Sequence, residues 1–218
     1  VETGLLRLRD EGIGFAVIVC LSKRVIDNIE AVLDYFADKG FSKLRMNTLG
    51  DPPRGRMIDA VNAGDLLRAK QAIYRRVEGG LDELNVKNQV AWFDAWVTNQ
   101  PVVHGHCTRA RCGAGSDVAA INPDGSVAPC IERSMTGGLP IADDLARLPV
   151  LMNDYWGEWT DWAPCRSCAA RPICDHGCPV YHRLEHERFD AECEANRAFF
   201  AFLVEERAAR VVRQAAGA

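Results

Sequence analysis

The chain has 218 residues, 26 Lys+Arg against 30 Asp+Glu, a net charge of −4, and is 48% hydrophobic and 26% charged. That length holds one medium domain or two small ones, and the composition excludes whole-chain disorder. The lack of a basic excess argues against a nucleic-acid partner. No uninterrupted apolar run reaches the ~18–20 residues of a membrane span, so no membrane partner is expected. The start, Val1-Glu2-Thr3-Gly4, has neither a basic n-region nor an apolar h-region, so the chain reads as cytoplasmic. A start without Met is expected of numbering that begins inside a longer polypeptide.

Ile13 to Leu21 (IGFAVIVCL) is a near-continuous apolar run. Its length and β-branched content predict a strand buried on both faces, as in a parallel sheet, with Cys20 as a small hydrophobe of the core. Ile26, Ile29, Val32, Leu33 and Phe36 follow at helical spacing, and Gly40 stands where a C′ glycine closes a helix. Phe41 to Leu49 reads as a second strand, completing a βαβ unit with a right-handed crossover. Gly50-Asp51-Pro52-Pro53 breaks the chain. Two helices are predicted after it, over Met57–Val77 and Leu84–Val97, divided by Gly79-Gly80. One βαβ unit leaves sheet edges and faces uncovered, so further strands are expected upstream of this sequence. The alternative is a small three-layer domain completed by the later helices. Ligands gather at the C-terminal ends of parallel strands, which makes Ser22, Asn47 and Thr48 candidate cofactor or substrate contacts. The plainer reading is a polar strand end.

The second half is organised around cysteine. Of nine cysteines, eight lie between Cys107 and Cys193, and nothing in the sequence supplies the secreted context of a disulfide scaffold. They run Cys107-x4-Cys112-x17-Cys130, then Cys165-x2-Cys168-x5-Cys174-x3-Cys178-x14-Cys193. Between Cys112 and Cys130, two short apolar runs flank Asn122-Pro123-Asp124-Gly125. Pro123 presets φ, Asp124 tolerates the second turn position and Gly125 supplies φ > 0, so a hairpin should bring Cys130 back towards Cys112. A four-cysteine site suits structural zinc or an iron–sulfur cluster. A zinc ribbon pairs two C-x2-C knuckles, and only Cys165 with Cys168 forms one. The x5 and x3 spacings favour ligands reaching around larger clusters, with zinc as the alternative.

This arrangement resembles the SPASM domain, the C-terminal extension of many radical S-adenosylmethionine (radical SAM) enzymes. Cys112-x12-Gly125-x4-Cys130, Cys165-x2-Cys168-x5-Cys174-x3-Cys178 and Cys193 fit every interval of that family's pattern. The Gly138-Leu-Pro-Ile-Ala-Asp-Asp-Leu-Ala-Arg-Leu segment resembles the one that separates the family's two cysteine groups. The likeness is close from about Cys107 to Val204 and looser before it. It implies an α/β fold: residues 1–100 as the C-terminal remnant of a partial TIM-type (β/α) radical SAM barrel with bridging helices, and 101–218 as a small Cys-rich SPASM domain with a β-hairpin, short helices and a closing helix.

The resemblance also implies two auxiliary [4Fe-4S] clusters. The first would take Cys107, Cys112, Cys130 and Cys178; the second Cys165, Cys168, Cys174 and Cys193. Cys178 would then cross over and pin the two lobes together. The barrel's C-x3-C-x2-C motif is absent here, so S-adenosylmethionine and a third [4Fe-4S] cluster would belong to a missing N-terminal part, either removed or on another chain, unless the chain is a degenerate homologue. The implied partners are a peptide or protein substrate and a reductant such as a flavodoxin or ferredoxin. In the family's sulfatase-maturing branch an Asp follows the hairpin's second cysteine. Here Ile131 and Glu132 follow Cys130, which favours maturation of a ribosomal peptide. The family's x-Gly-Gly before the fourth cysteine of the run is Asp175-His176-Gly177 here, placing His176 beside a cluster ligand.

Smaller features have plain readings. Trp156, Trp159 and Trp162 recur every three residues before Cys165 and read as core, or as a water shield for a cluster. His182 and His186 stand at i, i+4 and read as exposed helix. His104 and His106 precede Cys107 and are spare ligands at most. Glu194 to Val212 is helical, with Phe199, Phe202, Leu203 and Ala209 on one side, and should pack back onto the barrel remnant or a partner. The function that follows is the C-terminal part of a radical SAM peptide maturase, with no catalytic base identifiable. The alternatives are a stand-alone iron–sulfur electron-transfer or peptide-recognition module, and a zinc-stabilised structural domain.

Overall fold

The computed structural model describes residues 1–48, 61–100, 118–130, 167–174 and 186–217, with the backbone alone for 186–190. A first helix, α1 (Glu2–Asp10), precedes strand β1 (Val17–Leu21). Two short helices, α2 (Lys23–Asp27) and α3 (Ile29–Asp38), lead to β2 (Lys43–Thr48). Then come α4 (Ala63–Glu78), β3 (Asp82–Glu83) and α5 (Leu84–Thr98). The second half contributes a hairpin, β4 (Ala120–Ile121) and β5 (Val127–Ala128), a single-turn helix α6 (Arg171–Cys174) and a long helix α7 (His186–Ala215).

The expected βαβ unit is present. β1 and β2 pair in parallel, Val17 opposite Leu44 through Leu21 opposite Thr48, and β3 adds a short third parallel strand beside β2. The third strand has no signature in the sequence, because two residues behind Gly79-Gly80 are too few to show a period. The predicted single helix is two. Ser22 caps the first turn, its Oγ accepting from Val25 N, and Asn28 separates α2 from α3. Gly40 closes α3 at φ +71°, with Gly40 N donating to Ala37 O and Phe41 N to Phe36 O, the paired bonds of a Schellman ending. Asn62 and Asp65 form a reciprocal capping box at the start of α4. The predicted start of that helix near Met57, and the end of the second strand at Leu49, lie outside the described residues.

The expectation that the first strand is buried on both faces is corrected. Val17, Val19 and Leu21 turn to the core, whereas Ile18 is 63% exposed and Cys20 is exposed too. Side chains alternate across a strand, and the helices of the described chain cover one face of this sheet only. Cys20 is therefore not a core residue. It shares the uncovered face with Ile18, Arg45 and Asn47, by register. Among the described residues, β1 is hydrogen-bonded to β2 alone, so its other edge is open.

The core draws on both halves of the chain. Leu21, Leu44 and Met46 of the sheet join Ile26, Leu33, Leu66, Ile73, Val86 and Phe93 of the helices, and then Ile173, Ala195, Phe199 and Leu203 of the second half. α7 lies against α4, as its sequence pattern predicts, and Phe199 is fully buried there. Its ring stacks on Phe202 at 5.8 Å and meets Tyr74 edge-on at 6.4 Å. The hairpin also forms as expected. Ala120 faces Ala128, Ile121 faces Val127, and Gly125 takes φ +84°. Asn122 N donates to Ser126 O at 2.8 Å, and Asp124 Oδ1 accepts from Ser126 N at 2.9 Å, the side chain closing its own turn.

Candidate metal centre

Two places carry the residues singled out in the sequence. The first is the C-terminal end of the sheet. Ser22 sits at the end of β1 as the α2 cap, its Oγ 3.3 Å from Val25 N. Asn47 Oδ1 accepts from Arg45 Nε at 3.1 Å and from Asn85 Nδ2 at 3.4 Å, and Asn85 Nδ2 also holds Met46 O at 2.6 Å. Thr48 donates its hydroxyl to Glu192 Oε1 of α7. The three candidates thus share one end of the sheet, and each has a bond within the chain. Glu83 organises this end from below. Fully buried, it accepts Met46 N and Val86 N, each at 2.8 Å, and so joins β2 to the first turn of α5.

The second place is the cysteine lobe. Of the eight clustered cysteines, Cys130, Cys168, Cys174 and Cys193 are described; Cys107, Cys112, Cys165 and Cys178 lie outside the described residues, as do His104, His106, His176, His182, Trp156, Trp159, Trp162 and the Gly138 segment. Among the described residues no group of three or more Cys, His, Asp or Glu side chains gathers closely enough to hold a metal. Cys130 directly follows the hairpin, half-buried. Cys168 packs partly against the core, and Cys168 O accepts from Arg171 N at 3.2 Å, turning the chain into α6. Cys174 ends α6, whose Ile173 is fully buried and anchors the turn.

Cys174 is bonded to a side chain of α7 one turn along from Cys193. Asn196 Nδ2 donates to Cys174 Sγ at 3.4 Å, and Asn196 lies three residues beyond Cys193 on α7, on the same side of the helix. Asn196 Oδ1 in turn accepts from Gln89 Nε2 at 3.2 Å. Gln89 Nε2 also reaches Ile173 O at 3.3 Å, and Gln89 Oε1 accepts from Lys70 Nζ at 2.7 Å. Lys70 is part-buried in α4, with its ammonium 5.5 Å above the Phe199 ring. Burial pushes the Lys70 pKa down, and the charges of Glu192, Cys174 and Glu83 oppose that shift.

Lys70, Gln89, Asn196 and Glu83 were not singled out in the sequence. A signal existed for one of them. Gln89 stands three residues after Val86 and four before Phe93, a polar residue inside a buried stripe. Buried polar side chains require partners, so such a residue marks a network.

The donor chemistry at Cys174 fits a thiolate centre. Thiolates are the ligands of zinc and of iron–sulfur clusters, and amide and ammonium donors beside the sulfur stabilise its anionic form. Cys174 has an amide on its sulfur and a lysine charge nearby.

No family model matches the chain, and no curated protein does either. Solved structures do. The chain superposes on anSMEcpe, an anaerobic sulfatase-maturating radical SAM enzyme, with bound AdoMet, at a TM-score of 0.65 and 14% identity over 94% of this chain and 59% of that one. A histidine-tagged form of the same enzyme with AdoMet gives 0.63 at 13% identity, over 94% and 57% of the two chains. The complex of that enzyme with AdoMet and the Kp18Cys peptide gives 0.63 at 13% identity, over 94% and 60%. The fold is therefore similar to that of part of these solved structures, and the chain spans less than two thirds of their length. No helix among the described residues is long and apolar enough to cross a membrane.

Proposed function

We propose that the chain is the C-terminal part of a radical SAM enzyme of the SPASM group, which modifies a peptide or protein and carries two auxiliary [4Fe-4S] clusters. The observation that carries this reading is the spacing of seven cysteines and Gly125, on a chain whose fold follows radical SAM structures along 94% of its length. The ligand sets are Cys107, Cys112, Cys130 and Cys178 for one cluster, and Cys165, Cys168, Cys174 and Cys193 for the other. When bound, the clusters supply one-electron transfer between the substrate and a protein reductant of the flavodoxin or ferredoxin type.

The residues of the chain do the positioning. The hairpin turn at Asn122 to Gly125 presents Cys130; α6, pinned by Ile173, presents Cys174; and α7, pinned by Phe199, presents Cys193. Thr48 and Glu192 tie the end of β2 to the helix that bears Cys193. Ser22, Asn47 and Thr48 remain the residues proposed to border cofactor or substrate at the strand ends. The substrate is proposed to be a ribosomal peptide, on the Ile131-Glu132 that follows Cys130.

Reductive cleavage of S-adenosylmethionine needs an iron with an open position, held by three cysteines rather than four. The eight clustered cysteines make two complete sets, and Cys20 stands apart on the uncovered face of β1. The test is to reduce reconstituted protein, add S-adenosylmethionine and look for 5′-deoxyadenosine. Residues 1–218 alone should give none, and the complete polypeptide should turn over. Turnover by residues 1–218 alone would place the active centre within them and contradict this reading.

A further inference from the structure

Lys70, Gln89 and Asn196 form a directed chain that ends on a cluster cysteine. An ammonium only donates, so Lys70 compels Gln89 to turn its oxygen towards it. That leaves the Gln89 amide nitrogen to donate to Ile173 O and to Asn196 Oδ1. Asn196, receiving at its oxygen, must present its nitrogen to Cys174 Sγ. Each amide is fixed by the one before it, and the first member carries a charge. Burial disfavours the charged form of Lys70, the charges of Glu192, Cys174 and Glu83 favour it, and the Phe199 ring lies 5.5 Å from the ammonium. Lys23, Lys39 and Lys87 each pair with an exposed acidic side chain, whereas Lys70 turns inward to Gln89.

We propose that Lys70 is a positioning residue for the sulfur centre built on Cys174 and Cys193: it fixes a positive charge beside the centre and, through Gln89 and Asn196, sets an N–H donor on the Cys174 sulfur. This rests on the reading of that centre as an iron–sulfur cluster. Reduction adds one electron, and so one negative charge, to the centre. A fixed positive charge and an N–H···S bond both favour the reduced form and raise the potential. Lys70 touches no reacting atom, and its effect is to make this centre easier to reduce than it would be in an apolar setting.

The experiment is a redox titration of the complete, anaerobically reconstituted polypeptide, followed by EPR, with iron and acid-labile sulfide measured on each sample. Lys70→Met should weaken the reduction equilibrium of one centre at least tenfold, 59 mV for one electron, and leave the other unchanged. Asn196→Ala should lower the same centre's potential by less, and Lys70→Arg, which keeps the charge and the donors, should stay within threefold of the parent. Unchanged potentials in a fully loaded Lys70→Met would overturn the proposal. Should Lys70→Met lose iron, retention by Lys70→Arg supports the role of the charge, and equal loss from both overturns it. Absence of acid-labile sulfide from the parent protein is a separate result, which overturns the iron–sulfur reading itself and the proposal with it.

Discussion

Glu83 has no exposed surface, yet it is a carboxylate in the hydrophobic core. Its two oxygens hold two backbone N–H groups, Met46 and Val86, that have no exit to water. Glu83→Ala should therefore destabilise the fold by about 2–4 kcal/mol, since each buried donor left unpaired costs roughly 1–3 kcal/mol. Denaturant unfolding measures this, and a loss under about 0.5 kcal/mol would contradict the assigned bonds. Under the proposed ligand sets, Cys174→Ala or Cys193→Ala should remove the signal of the proposed second cluster and spare that of the first, and Cys130→Ala the reverse. If Cys178→Ala abolished the same cluster as Cys174→Ala, the crossover of Cys178 would be wrong. The cysteine spacing is legible because ligand intervals along a chain are set by chemistry. Lys70 and Asn196 are not legible, because their meaning lies in which helices α4, α5 and α7 bring together. Cys20 differs from its expected place for a related reason: the sequence shows an apolar strand but not which face the rest of the chain covers.

At the level of elements, the punctuation is readable and the lengths are less so. Gly40, Gly125 and the Asn122–Gly125 turn act as their residue types require, because positive φ is a local demand. The break at Asn28 and the two-residue β3 are invisible in sequence, since each depends on how the strands dock. The closing helix is legible from its apolar side, and it is the clamp between the halves. Phe199→Ala should cost about 3–5 kcal/mol, the range for deleting a buried aromatic ring. Thermal or denaturant unfolding reads the effect, and a near-neutral result would contradict the packing of α7 on α4. The hairpin carries its own pH signature. Hydrogen bonds from the Ser126 hydroxyl and N–H hold the Asp124 carboxyl below the usual carboxylate range. A folded pKa below the unfolded one contributes stability that is complete above the unfolded value and is lost as pH falls through the folded value. NMR titration of the Asp124 carboxyl should give a midpoint below the ordinary ~3.9, and one at or above it would contradict the turn geometry.

For the whole molecule, a parallel sheet covered on one face by helices, with one edge of β1 open among the described residues, is continuous through Phe199 and Ile173 with the cysteine lobe. The core draws on residues from both sides of residue 100, beyond which the clustered cysteines lie. A fold that follows radical SAM structures over 94% of its own length and 59% of one neighbour's supports reading the chain as one part of such an enzyme. The eight clustered cysteines supply the rest of the account. The direct test is metal and sulfide analysis of the anaerobically reconstituted chain. Two [4Fe-4S] clusters predict ~8 iron and ~8 acid-labile sulfide per chain. One or two zinc ions with no acid-labile sulfide would contradict the account.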